Sequence, residues 1–560
     1  MTIRNFISYT GIFTYPIGAL LSYFVIQGIK QDFFVPEWIE IAVIYVLPVI
    51  YPVVITITNV GREKRGQTDF SISAVFGLTE KDPKYSKEYY KLAYPDVPAR
   101  YTAKVPKGLV LGKHKGKYVY CPLNRDGVNV FTIGAPGSGK SVLLLSWLYS
   151  MLYGKEIAKK GGDKPSRPYN FFMVDIKGEL FEKLLQIKAK DYSAREFEEL
   201  KVVQPSNRHS YGWDIFYRIR KDGVSETEII KAVYDIADAL VVSTGDDLYF
   251  SDNAKKILSG VLYYYAKGGW EFIPIIQKLM RTNLDELLTE IVADAEEKRM
   301  GIVLDKLKGF VGKGDNESIA DVETTLKTYL EVFSYPDIQW CFHDNNNKTS
   351  PEVLNDGKTN LDLAIEEGML GVYQPIFRLI TMQVLRHCES EFKEDDDRYT
   401  LLIFDEAARI GNITGLDSAM ATLRSKHVAL ICLFQSISQF KDIYPEQKAN
   451  TLLNLCELKI VLSAGGDKDT TDYISGMVGE FDATKMSYRR HGPLGGKSDG
   501  NYSTERRPIV DAKELMGLRE RGEAIAFIYG HYVRCKKLRY FEDAYIAPIL
   551  KRKNKEKKGE

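Results

Sequence analysis

Residues 134 to 141, Gly-Ala-Pro-Gly-Ser-Gly-Lys-Ser, stand directly after the apolar run NVFTIG (129 to 134) and directly before the helical run SVLLLSWLYSMLY. That order admits few folds, because a strand must end where a helix begins with only a glycine-rich turn between them. Glycines let backbone N–H groups curl around a phosphate without Cβ clashes, and the helix N-terminus adds positive potential. Gly134, Ala135, Pro136, Gly137, Ser138, Gly139, Lys140, Ser141 and Val142 are therefore the candidate phosphate-binding residues. Lys140 is expected to reach the β and γ oxygens of a nucleotide, and Ser141 to ligate Mg²⁺.

A phosphate loop of this kind needs an acidic strand end to hold the metal through water. The run TLLIFDEAARIG supplies Asp405, with Glu406 beside it. Asp405 is expected to orient Mg²⁺ and Glu406 to polarise the attacking water, the division of labour of an ATP hydrolase, so ATP and Mg²⁺ are the expected cofactors. Gln435, after the strand VALICLF, stands where a polar residue senses the γ-phosphate. Arg424, after the helical pattern GLDSAMATLR, is a candidate arginine finger reaching a neighbour's nucleotide. Asp175, Lys177 and Glu179 close another strand near the phosphate site.

The 560 residues suit three to four structural units. Lys+Arg number 76 against 75 Asp+Glu, so a globally basic nucleic-acid binder is excluded and any such contact must use a local patch. The six cysteines, at positions 121, 341, 388, 432, 456 and 535, form no C-x-x-C pair. Neither a zinc site nor a disulfide framework is indicated, and a reducing environment fits.

Two uncharged stretches open the chain, one between Arg4 and Lys30 and one between Glu40 and Arg62, each long enough to cross a bilayer. A cleaved signal peptide fits the first less well, because its apolar part is too long and lacks a small-residue cleavage site. Basic Arg4 precedes the hairpin and Arg62, Lys64 and Arg65 follow it, while Asp32, Glu37 and Glu40 lie between. Both ends are therefore expected on the cytoplasmic side of the cell membrane.

From about Arg100 onward, apolar runs at 129–134, 169–175, 400–405, 428–434 and 457–463 alternate with helical patterns, the sign of a parallel sheet with crossover helices. Between Gly223 and Asn360 the pattern turns helical and charged; Ala254, Ile257, Leu258, Val261, Leu262 and Tyr265 fall on one helix face. This segment reads as an all-helical insertion into an α/β domain. The expected organisation is a hairpin at 1–61, a membrane-proximal linker at 62–99, nucleotide-binding parts at 100–222 and 365–548, the all-α insertion at 223–364, and a basic disordered tail at 549–560. The polar stretch 489–507 reads as a loop.

Several separated stretches carry a resemblance. GLVLGKHKGKYVYCPLNRDGVNVFTIGAPGSGKS, VDIKGELFE, LLIFDEAARIGNITGLDSAMATLRSKHVALICLFQSISQF and ERRPIVDAKELMGLRERGEAIAFIYGHYVRCKKLRYFED together resemble the type IV secretion coupling proteins of the TraG/TraD kind. Ile176 stands where that family often has proline, and Ala407 replaces the usual aromatic. The strand usually found before GMLGVYQPIFRLITMQVLRH is not evident around 363–372. The resemblance implies a P-loop domain of the RecA/FtsK-like kind and a homo-hexameric ring with nucleotide sites between subunits, which is what gives Arg424 its meaning. It also implies a membrane-anchored motor that passes relaxase-bound single-stranded DNA, or a protein substrate, to a secretion channel. An FtsK-like double-stranded DNA translocase and a non-hydrolysing docking receptor are the alternatives; the first predicts a winged-helix domain at the end, and the chain stops soon after its last strand.

Overall fold

A computed structural model describes residues 87 to 558 except 124–126, 165–168, 177, 179, 181–182, 185–199, 243–247, 313–315, 395–397 and 489–499, together with Tyr23 and Ile39. The two apolar stretches near the amino terminus lie outside the described residues but for Tyr23, as does most of the expected linker. Among the described residues, no helix is long and apolar enough to cross a membrane.

The chain divides into two units. The smaller holds residues 1–93 and 479–509 and the larger everything else. In the larger unit the chain runs through β1 (Thr102–Ala103), β2 (Leu109–His114), β3 (Lys117–Cys121) and β4 (Val130–Gly134), then helix α1 (Lys140–Leu152). It continues through β5 (Asn170–Asp175), β6 (Leu200–Val203) and β7 (Gly212–Trp213) into a helical region, and returns through β8 (Lys348–Thr349) and β9 (Asn360–Ala364). Helix α2 (Leu370–Glu391) leads to β10 (Thr400–Phe404), β11 (Val428–Phe434) and β12 (Leu458–Ser463). In the smaller unit, β13 (Glu480–Tyr488) and β14 (Gly500–Pro508) pair antiparallel, with Tyr89 of the helix Lys87–Ala93 packing its ring 5.4 Å from Phe481. Back in the larger unit, β15 (Glu523–Ile528), β16 (His531–Lys537) and helix α3 (Ile546–Lys558) end the chain.

Twelve of these strands form one sheet, ordered β1-β3-β2-β16-β15-β12-β4-β11-β10-β5-β9-β6. From β12 to β6 every pairing is parallel, as the apolar runs predict. Phe171, Met173, Leu401, Ile403, Ile431 and Leu433 fill one face, and Phe172, Val174, Leu402, Phe404, Cys432 and Phe434 are buried on the other, which is why these strands read as unbroken apolar runs. The remaining strands are antiparallel, so the sheet is mixed rather than parallel throughout. Two-residue turns explain the change: Lys115-Gly116 and Tyr529-Gly530 both take positive φ at each position, the tight hairpin geometry that reverses a strand.

Among the described residues, the elements between Glu226 and Asp356 are helices apart from β8, which pairs parallel with β7. The helix Glu226–Leu240 opens on a capping box in which the Ser225 hydroxyl accepts from Glu228 N and the Glu228 carboxylate accepts from Ser225 N. In the helix Leu248–Lys267 the expected stripe from Ala254 to Tyr265 is wholly buried.

Three expectations need correction. The inserted segment ends before residue 364, because β9 belongs to the main sheet, between β5 and β6. Asn360 and Asp362 alternate with Leu361 and Leu363 there, so the strand lacks the apolar run that betrays its neighbours. Part of the stretch taken for a loop, Gly500–Pro508, is strand β14, held by backbone pairing to β13 despite its polar composition. The tail continues α3 to Lys558: Ile546 and Ile549 anchor the helix in the core, and Arg552 pairs with Glu156 at 2.9 Å.

Helix α1 is fixed to the sheet by Leu144, Leu145, Trp147 and Leu148, all buried. The Trp147 indole donates to Val110 O at 2.8 Å and the Ser150 hydroxyl to Gly108 O at 2.8 Å, tying the helix to β2 and the turn before it. Trp147→Ala is expected to lower stability by about 3–5 kcal/mol, read from chemical denaturation followed by circular dichroism, with Trp147→Phe losing much less.

Candidate functional site

At the carboxyl end of β4 the chain turns through Ala135–Gly139 into α1. Ser138 N donates to Ala135 O at 3.0 Å, and Leu143 N to Gly139 O at 3.0 Å starts the helix ladder. Gly137 and Gly139 have φ of 71° and 100°, a left-handed conformation that leaves peptide N–H groups pointing into a hollow. Gly134 is required for another reason: a Cβ there would lie 2.3 Å from Ser138 Oγ. That hydroxyl is buried and makes no hydrogen bond. The loop thus has the glycine-rich strand-to-helix form that binds an anion, with Lys140 and Ser141 beside it, both half-buried.

Register places the other predicted residues in a row. Strand β11 lies between β4 and β10, pairing Phe434 with Ile133 on one side and Cys432 with Phe404 on the other. The three carboxyl ends therefore present Gly134, Gln435 and the Asp405-Glu406 pair side by side. Asp405 is buried at the tip of β10 with its N–H on Val174 O at 3.2 Å. Glu406 takes φ 57° and ψ 53°, a left-handed conformation costing a non-glycine residue about 1–2 kcal/mol. This turn directs its carboxylate to Gln435, whose Nε2 donates to Glu406 Oε1. Arg409 Nε lies 3.9 Å from the same oxygen. The Gln435 N–H is held by Gln439 Oε1 at 3.0 Å.

Ser141 and Asp405 are the side chains that would hold Mg²⁺, with nucleotide and water completing the shell. Among the described residues no cluster of three His, Cys, Asp or Glu could hold a metal ion alone.

Arg424 is not part of this row. It sits in the turn Leu423–Lys426 before β11, at the opposite end of a strand of seven residues, roughly 20 Å from Gln435. Its guanidinium is paired with Glu457, whose other oxygen accepts the Asn129 N–H at 2.9 Å. It therefore stays away from its own protomer's loop.

Asp175 caps the segment after β5 by accepting from Leu180 N at 2.7 Å; Lys177 and Glu179 lie outside the described residues. On the neighbouring strand Asp362 is fully buried with neither oxygen hydrogen-bonded, and burial, then Asp175, push its carboxyl well above the usual range. The sequence reading missed Asp362 together with the strand that carries it. It also missed the roles of Arg519 and Lys537, which bond carbonyls of the loop and lie nearly four hundred residues downstream.

Gly134→Ala is expected to weaken nucleotide binding at least tenfold, and adding Ser138→Ala to recover part of the loss, because removing the hydroxyl vacates the space the new Cβ needs. Titration with a fluorescent nucleotide measures both.

A family described as "Type IV secretory system Conjugative DNA transfer" matches residues 168–559. The conjugal transfer protein TraG of Rhizobium radiobacter is 25% identical over 350 residues, covering 61% of this chain and 54% of TraG. Protein VirD4 of Rhizobium rhizogenes is 22% identical over 389 residues, covering 67% of this chain and 55% of VirD4. The chain thus spans about half the length of the curated relatives it matches. Among solved structures, the plasmid coupling protein TrwB in complex with a GTP analogue superposes with a TM-score of 0.58 at 19% identity, covering 79% of this chain and 91% of that one. TrwB with ADP and Mg²⁺ gives 0.56 at 18%, covering 80% and 93%. These likenesses establish the α/β nucleotide-binding fold with its mixed sheet. The match over residues 168–559 bears out the resemblance carried by the sequence motifs, and the chain belongs to the type IV secretory system conjugative DNA transfer family.

Proposed function

We propose that this protein is a membrane-anchored ATPase that draws relaxase-bound single-stranded DNA, or a protein substrate, into a type IV secretion channel. The observation that carries the motor part is the contact between Glu406 and Gln435 at adjacent strand ends beside the phosphate loop. A docking receptor that never turns over nucleotide has no use for a strained backbone that aims a carboxylate in this way. Related structures support the ligand class: TrwB has been captured with a non-hydrolysable ATP analogue and with ADP and Mg²⁺. Family membership supports DNA and secretion-channel components as partners, and the two apolar stretches at 5–29 and 41–61 support a two-pass anchor in the cell membrane with both termini in the cytoplasm.

In this reading the loop N–H groups and Lys140 bind the phosphates, Ser141 and Asp405 position Mg²⁺, and Mg²⁺ neutralises charge on the phosphoryl oxygens. Glu406 orients and polarises water for in-line attack on the γ-phosphate. Gln435 holds the Glu406 carboxylate, so any displacement of Gln435 when the γ-phosphate leaves is passed to the base. Arg424, remote from its own loop and at the other end of the sheet, serves the neighbouring subunit of a ring, where Glu457 keeps the guanidinium in place between turnovers.

Glu406→Gln is expected to abolish single-stranded-DNA-stimulated ATP turnover by at least 10²-fold while leaving nucleotide binding intact, and Lys140→Ala to lose both; steady-state phosphate release with and without DNA is the assay. Absence of ATP turnover with or without DNA in full-length protein, with relaxase binding preserved, would replace the motor with the docking receptor. The finger has its own test. Mixing inactive Arg424→Ala and Glu406→Gln proteins is expected to restore part of the turnover, since mixed rings contain sites with an intact Glu406 from one subunit and an intact Arg424 from the next; no recovery on mixing would remove Arg424 from the mechanism.

A further inference from the structure

Two cations from the end of the chain grip the outer side of the phosphate loop. Lys537, the last residue of β16, donates to Ser138 O at 2.9 Å and to Leu462 O at 2.9 Å. Arg519, in the turn before β15, donates Nη1 to Pro136 O at 3.3 Å. Its guanidinium lies so close over the loop that a Cβ on Gly137 would be 2.8 Å from Nη2. In a trans peptide the C=O and N–H point in opposite directions. Drawing the carbonyls of Pro136 and Ser138 outward therefore turns the N–H groups of Gly137 and Gly139 inward, and these are the two glycines whose positive φ forms the hollow.

We propose that Lys537 and Arg519 are positioning residues that hold the loop in its anion-binding shape from outside and add positive charge behind it, so that a nucleoside triphosphate gains more than a diphosphate. This rests on the nucleotide reading above. The charge arrangement supports it. Lys536 and Arg534 on the same strand pair with Glu523, whereas Lys537 and Arg519 bond carbonyls and make no ion pair with a carboxylate among the described residues. The groups that face Lys537 are Arg519, Arg539 and Cys535, and burial, then Arg519, pull its pKa down to about 8. An ammonium left without a counter-ion and crowded by other cations is stabilised by a polyanion on the far side of the loop. Because a bound phosphate favours the charged lysine, affinity is highest below pH 8 and falls as the proton leaves above it.

The test is titration of the full-length protein with fluorescent ATP and ADP between pH 7 and 9.5. Lys537→Met is expected to weaken ATP at least tenfold and ADP less, to flatten the pH profile, and Lys537→Arg to restore ATP affinity at pH 7 without the fall above pH 8. Arg519→Ala is expected to weaken ATP several-fold. The wild-type pH profile keeps the test decisive even where a variant folds poorly. Lys537→Met binding ATP as tightly as wild type with the same profile, while Lys140→Ala binds none, would overturn this inference alone. Wild-type protein binding neither nucleotide at pH 7 would overturn the nucleotide reading with it.

Discussion

The site depends on one constraint of pairing, the insertion of β11 between β4 and β10. Parallel register lines up three carboxyl ends, and residues separated by some three hundred positions in the chain meet there. Both faces of these strands are buried, so a slip by one residue would turn core side chains into the space of their neighbours and move Gln435 off Glu406 together. The strand core and the chemistry are thus fixed by the same set of hydrogen bonds, and the left-handed turn at Glu406 is tolerated because the ladder on either side leaves the chain no other path.

Legibility in the sequence followed hydrophobic continuity. Strands β4, β5, β10, β11 and β12 were readable because burial on both faces leaves them mostly apolar, and the phosphate loop because glycine spacing is itself geometric. Strand β9 was hidden because Asn360 and Asp362 occupy one of its faces. Asn360 earns that place by accepting the Phe171 N–H at 3.0 Å, a pairing that propensity does not encode. The hairpins of the antiparallel edge carried a signal, Lys-Gly and Tyr-Gly in two-residue turns, that is weaker than Asn-Gly and is outweighed by the charged residues around it. The row formed by Gly134, Gln435 and Asp405-Glu406 could be expected residue by residue, but the contact between Glu406 and Gln435 is a consequence of sheet order, which one sequence does not state.

Electrostatics divides the sheet into two ends with different habits. At the amino ends of the strands, Arg424 is matched by Glu457 and that carboxylate is shared with the backbone N–H of Asn129, just before β4. At the carboxyl ends, Lys537 and Arg519 bond carbonyl oxygens and make no ion pair with a carboxylate among the described residues. Two cations that bond carbonyls beside the phosphate loop add to a field that draws in anions, where loops of a parallel sheet converge.

The helical segment leaves the sheet after β6 and rejoins it at β9, and these two strands are immediate neighbours. The short parallel pair β7 and β8 draws the two connecting arms together before the helices begin. Because closing a loop costs almost the same free energy for a short segment as for a long one, the sheet is nearly indifferent to what is suspended there. The arrangement works as a socket: segments of different length and surface can be exchanged at this point over evolutionary time while the strand ends that carry the phosphate loop keep their places.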